Sequence, residues 1–167
     1  MSVRDVHAMP IFFICPRPVV LVSVADGEIG NLFPMDLMGP LGNGLFGFAL
    51  NSKRMSASQV RRSGRLALST VPFEQASVVT GLGGNHNNEG LHWEELPFQM
   101  TASTRLGLPV PSFSLRVREM EVITFRDLGS HTLFVARTLN DEHWSDGSQF
   151  FMVHGMYQEW RHAHHER

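Results

Sequence analysis

Short apolar runs, some alternating and some unbroken, follow one another along the chain and are punctuated by glycine and proline. Residues 18–24, PVVLVSV, form a β-branched run that Asp26-Gly27 closes, which predicts a buried strand entering a tight hairpin turn. Residues 31–38, NLFPMDLM, read as the return strand, and Pro34 confines part of it to an edge or a bulge. Residues 39–44, GPLGNG, read as a loop. Residues 45–51, LFGFALN, read as a third strand, in which Gly47 marks a bend or a close approach. Polar residues 52–63 suit a helix that opens among hydroxyl caps and ends at Gly64.

Residues 65–71 alternate like a strand until Pro72, and residues 73–82 suit a second short helix. Residues 83–90, GGNHNNEG, are rich in turn formers and read as a surface loop. From residue 112 to 127 alternation returns, with Phe113, Leu115, Val117, Met120, Val122 and Ile123 expected to face inward. A slip of phase near Glu119 predicts a bulge. HTLFVARTL follows the Gly129-Ser130 turn as another strand, and FFMVHGMYQEW reads as the last. About seven strands and two short helices, without βαβ alternation, predict an all-β chain, a closed or nearly closed antiparallel barrel with helices at its ends.

The 167 residues suit a single domain, and 43% hydrophobic with 18% charged positions fit a globular chain rather than a disordered one. A net charge of −2 argues against gripping a nucleic acid backbone. No run reaches 18 apolar residues, so no membrane span is expected, and the lone Cys15 fits a reducing, cytoplasmic setting. Cys15 reads as a small buried hydrophobe, since nothing near it would lower its pKa.

Candidate chemistry is sparse. The GLGGNH stretch at residues 81–86 starts like a dinucleotide fingerprint but carries histidine at the sixth position and opens no helix of a βαβ unit. His162, His164 and His165 crowd the C-terminal tail, and His86 and His92 flank a polar loop without ligand spacing, so no metal site is expected. What remains is the strand-to-helix junction Ser52-Lys53-Arg54-Met55-Ser56, which holds the only lysine in the chain. A helix N-terminus with added cations and hydroxyls suits a monophosphate. A solvated basic helix start carries the same residues.

Several segments, in order, resemble one family. PRPVVLVSVADGEIGNLFPMDLM is similar to the opening of the flavin reductase-like FMN-binding proteins, and SKRMSASQVRRSGRLALSTV to their phosphate segment. GSHTLFVART resembles their G-D-H strand start, and HGMYQEWR their last barrel strand. The resemblance spans residues 14–161, leaving a short N-terminal and a His-rich C-terminal extension on one domain of residues 1–167. It implies a Greek-key split barrel, a homodimer, and FMN near the subunit interface. Phe33, Pro34, Met35 and Asp36 then occupy the segment along the isoalloxazine ring. Asn51, Ser52, Lys53, Arg54 and Ser56 fall in the ribityl-phosphate segment. His131 occupies the position of a histidine near nicotinamide, though a histidine capping its turn would read the same way.

The chain departs from the family pattern at Asp36, where serine is usual, at Met55 in place of an acid, and at Ser130 in place of the aspartate of G-D-H. A carboxylate at 36 opposes the negative charge of a reduced flavin. The implied activity is an NAD(P)H-dependent flavin reductase that delivers electrons to free flavin, oxygen or a flavin-dependent partner. The alternatives are an FMN-binding electron carrier or flavin store, or a barrel that has exchanged FMN for haem or deazaflavin.

Overall fold

The computed structural model describes residues 17–27, 29–36, 38–153 and 156–159. Cys15 and the tail histidines His162, His164 and His165 lie outside them. The strands are β1 (Arg17–Pro18), β2 (Val20–Asp26), β3 (Ile29–Met35), β4 (Met38–Gly42), β5 (Leu45–Asn51), β6 (Arg65–Thr70), β7 (Met100–Ala102), β8 (Pro109–Pro111), β9 (Arg116–Asp127), β10 (His131–His143), β11 (Phe150–Val153) and β12 (Met156–Glu159). Among the described residues the helices are α1 (Met55–Ser63) and α2 (Ala76–Gly81), with short 3-10 segments at Phe73–Gln75, Leu82–Asn87 and Trp93–Glu95.

Seven strands form one antiparallel sheet in the order β3-β2-β6-β9-β10-β5-β4. Its two edge strands, β3 and β4, are neighbours in sequence. Only residues 36 and 37 join Met35 to Met38, a reach of at most about 11 Å. The sheet must therefore roll until its edges nearly meet. Alternate residues of its strands then face one interior: Val20, Val22 and Val24, Phe33 and Met35, Phe46, Phe48 and Leu50, Leu66 and Leu68, Phe134 and Ala136. The rings of Phe48 and Phe134 stack there at 5.0 Å. Ala57 and Val60 of α1 plug one end. The result is a barrel split between β3 and the β4–β5 hairpin.

β2 and β6 are buried on both faces, which explains their unbroken apolar runs. Outside the barrel, Leu21 and Leu32 pack under Val71, Val79 and Leu82, with Trp93, Phe98 and Phe113 around them. Trp93 lies so close to Gly30 that a Cβ there would collide with its ring. Ala67 and Val117 pack under Leu108 and Val110 of the β7–β8 hairpin. The outer face of β4, β5 and β10 carries the exposed Leu41 and Leu133.

Five expectations are corrected. Residues 39–44 are no loop. Most of them form β4, which pairs with β5 through a turn where Gly42, Asn43 and Gly44 all have positive φ. The last strand is two, β11 (Phe150–Val153) and β12 (Met156–Glu159), which pair with each other and lie outside the seven-stranded sheet, and β11 also pairs with β1. Arg54 is the N-cap of α1, without a side-chain cap, where hydroxyl caps were expected; Gly64 closes the helix at φ 62° as predicted. Ile123 points outward and is 42% exposed. It is the unpaired residue where Val122 faces Ala136 and Thr124 faces Val135. The bulge expected near Glu119 is present, between Thr138 and Asn140 on the facing strand.

The fifth correction concerns residues 83–90. Leu82–Asn87 form a 3-10 segment that covers the free edge of β3 instead of standing off as a surface loop. Carbonyls of alternate β3 residues each receive a donor there. Leu91 N–H bonds Gly30 O at 2.8 Å, Asn85 Nδ2 bonds Leu32 O at 2.8 Å, and His86 Nε2 bonds Pro34 O at 2.9 Å. The N–H of Leu32 bonds Asn31 Oδ1 at 2.8 Å, and Pro34 has no N–H to satisfy. Pro34 thus sits on an edge strand, as its sequence predicts.

A second buried polar anchor holds the β7–β8 hairpin. Glu119 is fully buried. Its carboxylate accepts bonds from Ser103 Oγ at 2.6 Å, Arg105 N at 2.9 Å, Leu106 N at 2.5 Å and Asn140 Nδ2 at 3.0 Å. Burial opposes its charge, but these donors together outweigh burial and hold its pKa below the ordinary value. The charged form is therefore stabilised by folding, a contribution present above an unfolded pKa near 4.5 and lost as pH falls through the lower folded value. Glu119→Ala leaves those donors without an acceptor and is expected to cost on the order of 3 kcal/mol in urea unfolding at neutral pH. The deficit relative to the parent chain should shrink below about pH 4.

Candidate functional site

The split in the barrel is a cavity of about 330 Å³, within the range of small-ligand sites. One wall is the end of β3 with Pro34, Met35 and Asp36, and the other is the end of β5 with Ala49, Leu50 and Asn51. Arg54 at the start of α1, His131 at the start of β10, and Gly83 and His86 of the 3-10 segment complete it. Asn51 and His131 face each other across the β5–β10 ladder, so strand pairing places both at the cavity.

Six of the ten candidate residues meet there: Pro34, Met35, Asp36, Asn51, Arg54 and His131. The other four do not line it. Phe33 is fully buried in the barrel core, on the same face of β3 as Met35 but further from the strand end that lines the cavity. Ser56 is fully buried behind the cavity wall. Ser52 Oγ lies 3.2 Å from Thr132 Oγ1, in a group where Thr132 bonds Asp127 at 2.6 Å and Arg61 bonds Thr132 at 2.6 Å. Lys53 is exposed on the turn, and its backbone N–H bonds Asn51 Oδ1 at 3.0 Å.

That bond, with Arg54 N–H to Asn51 O at 3.1 Å, makes Asn51 the residue that turns strand into helix. The first turn of α1 holds no acidic residue. Helix geometry leaves the N–H groups of Met55 and Ser56 without intrahelical acceptors, while that of Ala57 bonds Arg54 O at 3.2 Å, and Arg54 stands beside them. Met55, in place of an acid, therefore leaves no carboxylate in this turn to repel an anion. The donor set fits a phosphate.

Asp36 is paired with Arg17 at 2.9 Å, and both side chains are largely buried. Burial raises the Asp36 pKa, while the Arg17 charge pulls it down by less. The guanidinium thus offsets part of the negative charge that this departure brings. For His131, the neighbour in place of the family's aspartate is the Ser130 hydroxyl, 3.0 Å from Nδ1.

No motif marks His86 as a cavity residue, yet it lines the cavity. Its Nε2–H donates to Pro34 O at 2.9 Å, which leaves Nδ1 unprotonated to accept the Ser56 hydroxyl at 2.9 Å. Its ring also lies 4.8 Å from that of Phe33. Burial lowers its pKa, the Pro34 carbonyl raises it by less, and the Arg54 charge lowers it further. Arg17 was likewise missed. Both belong to the site through long-range contacts; Arg17 stands in the PRP opening that carries the resemblance, and His86 sits in no motif.

A second cavity, of about 430 Å³, lies at the other end of the β5–β10 ladder, lined by Pro18, Val20, Phe46 and Thr138 among others. It gathers none of the candidate residues. Among the described residues no cluster of histidine, cysteine and carboxylates could hold a metal, and no helix is long and apolar enough to cross a membrane.

Comparison with solved structures returns the same architecture. An FMN-binding protein from Thermus thermophilus superposes with a TM-score of 0.77 at 21% identity, over 90% of this chain and 89% of that one. The NADH:FAD oxidoreductase SgcE6 of Streptomyces globisporus C-1027 gives 0.82 at 13% identity, over 94% and 93%. A homologue of nitrilotriacetate monooxygenase component B from Mycobacterium thermoresistibile gives 0.80 at 15%, over 95% and 88%. No curated protein matches by sequence. The flavin reductase like domain matches residues 12–161. Since that match takes in both walls of the cavity and nearly the whole chain, the chain belongs to the flavin reductase-like family.

Proposed function

We propose that the chain is an FMN-binding flavin reductase that uses NADH or NADPH. The observation that carries this reading is the placement of Asp36, Asn51, Arg54 and His131 around one cavity in the split of a barrel of this family. Two solved relatives of the same fold are an FMN-binding protein and an NADH:FAD oxidoreductase seen with NAD and FAD fragments. When bound, the flavin supplies the redox chemistry by accepting hydride from nicotinamide and passing electrons on. The protein supplies orientation and electrostatics.

In this reading Arg54 and the first turn of α1 hold the phosphate, while Pro34, Met35 and Ala49 flank the ring system. Asp36 with Arg17 sets the charge beside it. His131, at the rim, docks the nicotinamide and is not needed to retain FMN. The active unit is a homodimer. The cavity continues past Asp36 and Ala49 onto the open face of β4, β5 and β10, an apolar groove with Met38, Leu41, Gly47 and Leu133. Leu41 is 58% exposed and Leu133 37%. A second copy seated on that face buries them and closes the open side of the cavity.

Three outcomes test this reading. Arg54→Ala should weaken FMN binding by about ten- to a hundredfold, the loss of one charged hydrogen bond, and leave riboflavin binding nearly unchanged. Equal loss for both ligands, in a fluorescence titration, would remove the phosphate from this junction. His131→Ala should retain FMN yet slow anaerobic reduction by NADH or NADPH on the order of tenfold. An unchanged stopped-flow rate with both nucleotides would leave His131 as a turn residue. Leu133→Glu should shift the sedimenting species from dimer to monomer and weaken FMN binding, whereas a parent chain that sediments as a monomer with flavin bound would overturn the dimer.

A further inference from the structure

We infer that the second cavity is a binding site for a small planar aromatic carboxylate, with Arg118 as the group that holds its charge. The inference is independent of the flavin reading, because it concerns the opposite end of the barrel. From the Asn51–His131 pair at the first cavity to the Leu45–Arg137 pair beside the second, the strands run about 20 Å. No described residue lines both cavities.

Val20 and Phe46 belong to the barrel core and reach this cavity of about 430 Å³ from within, and Pro18, Met38 and Phe151 stand around them. The volume and the apolar lining suit a small organic molecule. Four polar side chains interrupt that lining: Thr70, Arg118, Thr138 and Gln149. Among the described residues the hydroxyls of Thr70 and Thr138 and the amide of Gln149 bond no other protein group. Thr70, Arg118 and Gln149 also line an adjoining polar pocket of about 400 Å³. They therefore stand at a boundary between apolar and polar space, where a ligand with one apolar and one charged end is satisfied on both sides.

The chemistry of Arg118 selects the charged end. Its Nε donates to Asp141 Oδ2 at 3.0 Å, and Arg116 holds the same carboxylate through Nε at 2.5 Å and Nη2 at 2.8 Å. Burial opposes the Asp141 charge, but the bonds from Arg116 and Arg118 outweigh burial and hold its pKa below the ordinary value. Two guanidiniums thus share one carboxylate, which leaves one positive charge. Asp146, the carboxylate lining the polar pocket, pairs with His143 at 3.0 Å. Asp141 fixes Arg118 by its side, so that Nη1 and Nη2, which bond no other protein group among the described residues, remain as a two-pronged donor. That fork matches a carboxylate. The guanidinium lies over the Phe46 ring at 6.0 Å, and its side chain is 33% exposed. A carboxylate seated on it directs the attached ring toward Phe46 and Pro18. Rings pack well against rings, and a rigid one loses little freedom on entering. A monocarboxylate matches the single charge, whereas a neutral molecule would cover the fork without pairing it.

The test uses the full chain, 2-naphthoate as the probe and 2-naphthamide as its neutral counterpart. Calorimetric titration should give one naphthoate per chain with Kd below about 1 mM, the same with FMN present as without. The parent chain should bind the amide about tenfold more weakly, the loss of one charged pairing. Arg118→Gln should remove this preference by weakening naphthoate alone, and Thr138→Phe should exclude both ligands by filling the space. In the parent chain, ¹³C-methyl spectra with naphthoate should move Val20, Met38 and Thr138 and leave Ala49 and Leu133 in place, whether or not either variant folds. Equal affinity for acid and amide in the parent chain, an unchanged preference in Arg118→Gln, or shifts at Ala49 instead would overturn the site. So would the absence of naphthoate binding, the result expected if the residues preceding Arg17 or a second copy of the chain fill the cavity.

Discussion

Two residues join the opposite edges of a seven-stranded sheet, and the rest of the structure depends on that short link. With β3 and β4 tied together, the sheet has no flat solution. Its inner face becomes a closed apolar interior, and its edges approach each other and leave a cavity between the strand ends. The cavity is therefore a by-product of closure, placed where the hydrogen-bond ladder is interrupted. The residues on either side of the gap are strand ends, whose positions the barrel core fixes and whose side chains are free to vary.

An interrupted ladder leaves edge groups to satisfy. On β3 the carbonyls at 30, 32 and 34 would form an adhesive edge if bare. Leu91, Asn85 and His86 cover them with one backbone donor and two side-chain donors, where another strand would have used backbone alone. Side-chain donors let this cover be a compact 3-10 turn, and they bring an imidazole to the cavity. Asn31 secures the arrangement from within, bonding Gln59 Oε1 and Asn85 O at 2.8 Å each, and so ties α1, β3 and the cover together.

Much of this was legible in the chain. The apolar runs at 18–24, 45–51 and 65–71 are strands because β-branched and aromatic residues fill a two-sided or alternating burial pattern, and Gly64 and Pro34 fall where their backbone chemistry requires. Asn51, Arg54 and His131 were legible through a motif order shared with a family. The rest depended on pairing partners. GPLGNG became a strand because Gly42, Asn43 and Gly44 supply a turn that folds it onto β5, a fact about the facing strand and not about the segment itself. GGNHNNEG has the composition of a loop, and only the bare edge of β3 turns its asparagine and histidine into structural donors. Phe33 and Pro34 are adjacent in sequence but face core and cavity, so a segment-level resemblance could not separate them.

The β5–β10 ladder sets an order on the molecule's own assembly. Asn51 and His131 stand opposite each other although about eighty residues separate them along the chain. During synthesis at roughly 5–20 residues per second, β5 waits several seconds for its partner to leave the ribosome. Until then Phe48 lacks Phe134, and the gap between β3 and β5 has only one fixed wall. Contacts so distant in sequence form slowly, and the strand ends that receive a ligand are among the last to be set. A nascent chain thus has no competent pocket to fill early, and cofactor capture marks completion of the fold instead of guiding it.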